Sequence, residues 1–594
     1  MVVMKRLLAT ELNMHIGMKV RVRGWLHALR SLGKIHFLII RDRSGLSQVV
    51  IQDPMEFQKV RGLQVGSVLE IHAEVSGNAD ANMRIELINP SIIVEVTVND
   101  PPEVEYVKHD IPSEIDYILD HRALALRNRK IQAVFNLQAE IAHAYRKYMH
   151  DCIGAVEYFS PNIIGTSSEG GAEFFNLDYF GYSATLAQSS QLYKQVMVGV
   201  NERVFALAPF FRAEKSHTSR HLSEGKQFEF EMGFFENWQD IMDIQEGVIK
   251  NIVAHLNENC TNEIALLEHG IINAPQSVPI PRLTFAQAQE LYFERTGVDE
   301  RAQDDLSPAA EKELCVYAAE TYGTDLVFIT DWKTSKRPFY SFTNAENPEL
   351  TNTFDLLCAG TEITSGGQRR HTYASMLEGI QLKGMDPADF TDYLSIFKYG
   401  MPEHGGFGMG LERLTMTLLK LNNIREASLF PSDPKRIAGT KIKAKLFFGA
   451  ENIRNEILRS LKDNNMQYTH AQNVAENEPS IKAMILRGKK TKKNYQFNLL
   501  AHQKLDMKRV SELVQEKCEF EDPAVLQARF GLVLGGVPPL GHLLNVETYY
   551  DAQIQSAESV RIHCGVIHEN ILLNVSDLLI LAQPKIADFT MVKP

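Results

Sequence analysis

Residues 204–232 constrain this chain more than any other stretch. An apolar run, Val204 to Phe211, leads into Arg212-Ala213-Glu214, passes Arg220-His221-Leu222 and Glu224, and ends in Phe228-Glu229-Phe230-Glu231-Met232. The pattern predicts strand, loop, strand. Phe228, Phe230 and Met232 share one face of the second strand, and Glu229 and Glu231 share the other. Arginines gathered around such a loop can hold a polyphosphate through paired, charge-assisted hydrogen bonds. The same residues also suit a salt-bridged surface hairpin.

A second element lies far downstream, Gly405-Gly406-Phe407-Gly408-Met409-Gly410-Leu411-Glu412-Arg413. A glycine-rich strand here runs into a helix that carries an arginine. Glycines let backbone approach a flat ligand, and Arg413 can place charge above it. Together the two stretches resemble motifs 2 and 3 of the class II aminoacyl-tRNA synthetases. Gln188-Ser-Ser-Gln-Leu-Tyr-Lys194 and Glu362-Ile-Thr-Ser-Gly-Gly-Gln-Arg369 resemble the aspartyl branch in its archaeal and eukaryotic style.

Bulk properties agree with a multidomain globular protein. A chain of 594 residues, 44% hydrophobic and 23% charged, exceeds one core, and about three or four domains are expected. With a net charge of −12, RNA contacts must come from local basic patches. The six cysteines lie far apart with no CxxC pair, which argues against a zinc site or a disulfide framework. The N-terminal apolar run is too short for a signal peptide and no stretch is long enough to span a bilayer, so a cytoplasmic location is expected.

The expected architecture is α+β and multidomain. Residues 1–100 read as five short strands of an OB-fold barrel, with Lys19–Trp25 the cleanest alternation. Lys19, Arg21, Arg23, Arg30, Lys34, Arg41 and Arg43 make the barrel basic, and Trp25, His27 and Phe37 are interleaved with them. Such a surface suits single-stranded RNA, although Trp25 is expected in the barrel core. The resemblance implies that this barrel binds the anticodon, with Arg30, Phe37 and Gln48 on the base-contacting positions. His27 stands where relatives that accept both aspartate and asparagine tRNAs often carry histidine. Residues 101–130 read as a hinge.

Residues 131–440 resemble the antiparallel-sheet catalytic domain of the class. Apolar residues from Ile131 to Met149 recur at helical spacing, and Phe159-Ser-Pro161 follows. By resemblance this is motif 1, which builds a homodimer interface; an ordinary core helix fits the same pattern. A site for an amino acid with a carboxylate side chain needs an anion for the ammonium and cations for the side chain. Glu169 can supply the first, Lys194 and Arg369 the second. The resemblance adds Ser168, Gln191, Glu229 and Ser365 to this L-aspartate pocket.

Adenylation joins the aspartate carboxylate to the α-phosphorus of ATP, and needs positioning and charge neutralisation rather than a protein nucleophile. The resemblance implies that Arg212 holds the α-phosphate and Glu214 meets the adenine. Arg220 and His221, with Leu222 beside them, reach the outer phosphates, and Arg413 stacks on the base. Mg2+ prefers oxygen ligands, and Asp355, Glu362 and Ser365 match the family's metal positions.

Two departures from the family stand out. Gly225 follows Glu224 where a phenylalanine usually lies against the adenine. Glu229 replaces an aspartate, moving a carboxylate by roughly 1.5 Å.

Residues 445–594 extend beyond the usual synthetase. They read as a helix at Ile453–Leu461, two strands across the basic turn 487–493, the loop Gly535-Gly-Val-Pro-Pro-Leu-Gly541, and further short elements. This order resembles the YbaK/ProX family of α/β domains, which hydrolyse misacylated tRNA. The resemblance puts Lys482, Gly536 and Gly541 in the editing pocket.

The leading expectation is therefore an ATP-dependent ligase that charges tRNA(Asp) with aspartate and carries a fused deacylase; the sequence leaves open whether tRNA(Asn) is charged as well. An asparagine-using or tRNA-independent relative and a non-catalytic tRNA-binding paralogue are the alternatives.

Overall fold

The computed structural model describes residues 4–77, 85–165, 174–180, 182–213, 217–441, 449–470, 478–567 and 569–591. The chain divides into two compact units, Met1–Lys441 and Ile442–Pro594.

The first unit opens with β1 (Lys19–Leu32), β2 (Ile35–Arg41), β3 (Leu46–Ile51), β4 (Val68–Gly77) and β5 (Ile85–Val96). They close into a barrel in the order β1-β2-β3-β5-β4. Alternation drives the closure: Val20, Val22, Leu38, Ile40, Val49, Ile51, Leu69 and Ile71 fill the interior, and their neighbours face outward. β1 runs on past Trp25 because a bulge between Leu26 and Ala28 bends it. Its first half pairs with β4 and its second half with β2. Trp25 corrects an expectation. It is 38% exposed, with the Arg41 guanidinium 4.8 Å from its ring centroid. Aliphatic side chains already fill the small interior, and the period of two puts Trp25 on the outer face with Arg21 and Arg23.

The segment read as a hinge is anchored at both ends of its short helices, Ile115–Asp120 and Arg122–Ala125. Arg122 donates to the carbonyls of Ser428 and Leu429, and Arg436 pairs with Asp116 and Asp120.

Helix α1 (Arg129–Asp151) follows. Asn128 caps it by accepting from the Lys130 and Ile131 amides, and donates to the carbonyls of Tyr106 and Lys108. The catalytic sheet then assembles from β6 (Val156–Glu157), β7 (Arg203–Phe211), β8 (Glu224–Gly233), β9 (Arg282–Thr284), β10 (Leu326–Thr330), β11 (Thr353–Cys358), β12 (Thr361–Gln368) and β13 (His404–Gly410). Its order is β9-β10-β11-β12-β13-β8-β7-β6. Six central strands pair antiparallel, and only the edge pairs β9–β10 and β6–β7 are parallel.

Strand β8 therefore lies inside the sheet, and the surface-hairpin alternative fails. Phe228 and Phe230 pack with Leu137, Ile141 and Tyr145 of α1 and with Val248 and Ile252 of α3 (Asp240–Asn259). Burying each phenylalanine contributes about 2–3 kcal/mol. On the opposite face Glu229 and Glu231 are equally buried, at 2% and 0% exposure. Two inward carboxylates in mid-sheet need cations, and the site supplies them.

The second unit contains β14 (Tyr468–His470), β15 (Ile481–Gly488), β16 (Asn494–Leu500), β17 (Cys518–Phe520), β18 (Glu547–Asp551), β19 (Ser559–His563), β20 (Asn570–Asn574) and β21 (Lys585–Ala587). One sheet runs β17-β15-β16-β18-β21 and the other β14-β20-β19. The helix expected at Ile453–Leu461 spans Ala450–Asp463. Among the described residues, no helix is long and apolar enough to cross a membrane.

Candidate active site

Two connected cavities open on the carboxylate face of the sheet. Arg212, Gln227, Glu362, Ser365 and Gly408 line both.

The amino-acid half is built around β8. Helix α2 (Gln191–Asn201) delivers Lys194, which is 1% exposed. Its Nζ donates to Glu229 Oε2 at 2.7 Å and to the Phe407 carbonyl at 3.0 Å, and lies 3.3 Å from Glu231. Arg369, just past β12, donates from Nε to Glu231 Oε1 at 2.8 Å and from Nη2 to the Gly406 carbonyl at 3.0 Å. Burial works against the Glu231 carboxylate, but Arg369 and Lys194 outweigh it and hold its pKa below the usual value. Burial likewise opposes the Arg369 charge, and Glu231 overrides it and raises the pKa. The two cations thus converge from positions 175 residues apart (369 − 194).

The glycines of β13 make this convergence possible. A Cβ on Gly408 would lie 2.7 Å from Gln227 Nε2 and 3.3 Å from Glu229 Oε2, and one on Gly406 would collide with Glu231. They make room first for the protein's own side chains, and their strand supplies the carbonyls that receive Lys194 and Arg369. Tyr145 fixes the strand from behind by donating to the Glu229 carbonyl at 2.8 Å.

Gln191 donates to Gln195, which also accepts from the Tyr393 hydroxyl and donates to His404 Nε2 at 2.9 Å. His404 Nδ1 donates to the Pro402 carbonyl. Burial lowers the His404 pKa to about 4, so it is neutral at pH 7.

The nucleotide half, a cavity of about 120 Å³, is lined by Arg212, Arg220, His221, Leu222, Glu362 and Arg413, among others. Arg212 leaves β7 with its Nε buried and without a hydrogen-bond partner among the described residues. A buried N–H in that state is an acceptor's place. Arg413, in the first turn of α4 (Leu411–Leu418), donates to the Glu362 carbonyl at 2.9 Å. Arg220 is turned toward Glu311 (2.9 Å) and the Gly360 carbonyl (3.0 Å). His221 Nδ1 is 2.6 Å from the Thr218 hydroxyl. Leu222 is a wall, packed with Met416, Ile424 and Ala427.

Asp355 of β11 and Ser365 of β12 stand opposite each other in register. Arg337 bridges them, donating to Ser365 Oγ at 2.9 Å and to Asp355 Oδ2 at 2.8 Å. Asp355 Oδ1 is buried without a partner among the described residues. Burial and the nearby Asp355 push the Glu362 carboxyl up to about 7. Ser168, Glu169 and Glu214 lie outside the described residues.

Sequence reasoning missed Glu231 as the shared partner of both cations, and missed Lys336 and Arg337 altogether. Both of these basic residues line the amino-acid cavity. The run Lys336-Arg337-Pro338 was the available signal, since a proline confines the residue before it to extended backbone, as Arg337 is here.

On the barrel, Arg30 and Phe37 are cross-strand partners and Gln48 faces Ile39. All three lie outside the barrel core. Gln48 donates to Glu86 at 2.7 Å. In the second unit, Lys482 near the start of β15 donates to the carbonyls of Ala501 and Gln503, and burial lowers its pKa. Gln496 of β16 and Tyr550 of β18 pin the 535–541 loop by donating to the carbonyls of Pro538 and Pro539. A Cβ on Gly541 would strike Thr548 and Gln496, and one on Gly536 would lie 2.8 Å from the Gly565 carbonyl. Lys482 stands opposite Leu499 on β16, one residue from Asn498, whose side chain reaches toward the Pro539 carbonyl.

Comparison with known proteins reaches the same place. The family described as tRNA synthetases class II (D, K and N) matches residues 114–434. An OB-fold nucleic acid binding domain matches 20–95, and an aminoacyl-tRNA editing domain matches 465–581. The aspartate–tRNA(Asp/Asn) ligase of Thermus thermophilus is 41% identical over 73% of this chain and 99% of its own length. The aspartate–tRNA(Asp) ligase of Pyrococcus horikoshii is 38% identical over 72% of this chain and 97% of its own. The asparaginyl-tRNA synthetase of Pyrococcus horikoshii, solved with asparaginyl-adenylate, has a TM-score of 0.67 at 31% identity, covering 74% of this chain and all of its own. The chain belongs to the class II aminoacyl-tRNA synthetases, in the aspartate–tRNA ligase family, with an editing domain fused behind the synthetase.

Proposed function

We propose that this protein activates L-aspartate with ATP and transfers it to tRNA(Asp) and tRNA(Asn). One observation carries the choice of amino acid. Lys194, Arg212, Lys336, Arg337 and Arg369 line the amino-acid cavity against two lining carboxylates, Glu229 and Glu362. Adding Glu231 and Asp355, which pair with these cations from behind, still leaves a positive surplus. That surplus favours aspartate, with two carboxylates and one ammonium, over neutral asparagine. Lys194 and Arg369 receive the side-chain carboxylate, and Glu229 and Ser365 flank the substrate. Gln191 holds the pocket wall, and Ser168 and Glu169 are assigned to the substrate by the family resemblance.

Arg212 meets the α-phosphate with its unpartnered Nε. Arg413 and Glu214 hold the adenine. Arg220 and His221 turn toward the outer phosphates, with Leu222 as their apolar backing. These groups align the attacking carboxylate with phosphorus and neutralise the charge that grows on the phosphoryl oxygens.

Asp355, Glu362 and Ser365 fit Mg2+. The donors are all oxygen, and the orphaned Asp355 Oδ1 lacks only a cation. When bound, the ion neutralises charge on the phosphates and the departing pyrophosphate.

The barrel face bearing Arg30, Phe37 and Gln48 reads the anticodon. The exposed apolar residues Val156, Phe159 and Ile163, at and just beyond the open edge strand β6, form the interface of a homodimer. Lys482 and the loop from Gly536 to Gly541 belong to a deacylase that clears mischarged tRNA, with loop amides and the lysine stabilising the oxyanion. We place this work in the cytoplasm, where tRNA is charged.

Charging of purified tRNA(Asp) and tRNA(Asn) with labelled aspartate, for wild type and Lys482→Ala, tests the reading. Both tRNAs are expected to be charged, with mischarged product persisting longer in the variant. Failure to charge either tRNA overturns the proposal.

A further inference from the structure

Gly225 brings no ring to the nucleotide cavity, yet the cavity has one. Phe210, one residue before the end of β7, stands opposite Gly225 of β8 in the antiparallel register. A Cβ built on Gly225 would lie 2.7 Å from both Cε1 and Cζ of Phe210. The phenyl ring therefore lies across the strand over the bare glycine backbone. It is half-buried and lines the same cavity as Arg212 and Arg413. The Arg212 guanidinium sits 5.4 Å from its centroid. Among the described residues lining that cavity, Phe210 is the one phenyl ring.

We propose that Phe210 is the platform on which the adenine of ATP stacks, with Gly225 kept small so that the ring can lie flat. A purine offers two π faces and little else that is not polar, so it is best held between a cation and a flat apolar surface. Arg413 is the cation. Phe210 is the apolar surface, and the Arg212 guanidinium near the same ring places the base and the α-phosphate in fixed relation. Any side chain at position 225 would push the ring and also crowd Glu412, whose Oε2 would be 2.9 Å from the added carbon.

This inference rests on the ATP site proposed above, and the experiment separates the two. Calorimetric titration of the full-length chain with ATP, and separately with inorganic tripolyphosphate, reads the base and the phosphates apart. Phe210→Leu keeps a branched apolar side chain and removes the ring. It is expected to weaken ATP by about tenfold, the scale of one base–aromatic stacking contact, and to leave tripolyphosphate unchanged. Phe210→Trp keeps a ring and should stay within about threefold of wild type for ATP, again on the scale of that contact. Gly225→Ala should weaken ATP in the direction of Phe210→Leu. If wild type binds ATP and Phe210→Leu binds it equally well, the platform is wrong and the site stands. Equal weakening of ATP and tripolyphosphate also overturns the platform. If wild type binds neither ligand, the site itself is misread and the inference falls with it.

Discussion

The two halves of the site are held in opposite ways. In the amino-acid half the cations are already spoken for: Lys194 and Arg369, 1% and 4% exposed, close onto Glu229, Glu231 and two strand carbonyls. In the nucleotide half Arg212 keeps a buried N–H without a partner among the described residues, and the Arg220 side chain is 33% exposed. The first half is a rigid charged network laid down with the sheet. The second is a set of arginines on loop and helix starts held by few contacts. Arg220 is held by Glu311 and the Gly360 carbonyl and Arg413 by the Glu362 carbonyl, with the Arg212 Nε left open for an acceptor. A small dicarboxylate needs exact charge placement in a dry pocket, whereas a nucleotide brings enough charge to order its own contacts.

The largest expected effect tests the rigid half. Lys194→Met removes the buried cation that contacts both Glu229 and Glu231, and breaking a buried pair costs about 3–5 kcal/mol. Denaturant unfolding should show that loss. The double variant Lys194→Met/Glu229→Gln should recover most of the stability without recovering aspartate activation. A single variant as stable as wild type would show that the network is not what holds this half.

The nucleotide half should behave in the opposite way. Arg212→Ala should cost activation about 10²–10³-fold, the scale of removing one donor from a developing charge, with an unchanged unfolding midpoint. A large drop in midpoint would make Arg212 part of the scaffold and erase the contrast.

Acid should loosen the rigid half. The folded pKa of His404 is depressed from 6.5 to about 4 by burial, so the unfolded chain binds the proton more readily. Stability from this group is full above pH 6.5 and falls as pH drops toward 4, by up to about 3 kcal/mol. Unfolding at pH 7 and pH 5 for wild type and His404→Asn checks this, and the variant should show the smaller pH dependence.

The smallest effect lies outside both halves. Phe37→Ala on the barrel should raise KM for tRNA by about tenfold while leaving amino-acid activation untouched. Equal damage to activation would mean that the barrel is not a separate reader.

Much of this contrast was visible in the sequence, because both halves are written on strands. Alternation at Phe228, Phe230 and Met232 named the face that carries Glu229 and Glu231, and the apolar run to Phe211 named the strand that ends at Arg212. Periodicity does not report neighbours, so it put Glu231 on the face of Glu229 without marking it as the partner of Lys194 and Arg369. Trp25 was misplaced because its size was weighed above its phase: the period of two already set it on the face of Lys19, Arg21 and Arg23, opposite the buried Val20 and Val22. Lys336 and Arg337 sit outside any strand or α-helix, where no period exists to read. Phe210 was hidden by its place in an apolar run, since nothing in the sequence shows that Gly225 lies beneath it.

Amino-acid-dependent exchange of labelled pyrophosphate into ATP, run with purified protein and no tRNA, tests the central claim most directly. Exchange with aspartate, little with asparagine, and loss of the aspartate signal in both Lys194→Met and Arg369→Met is the predicted result. Exchange driven by asparagine, or aspartate exchange that survives either substitution, would contradict it.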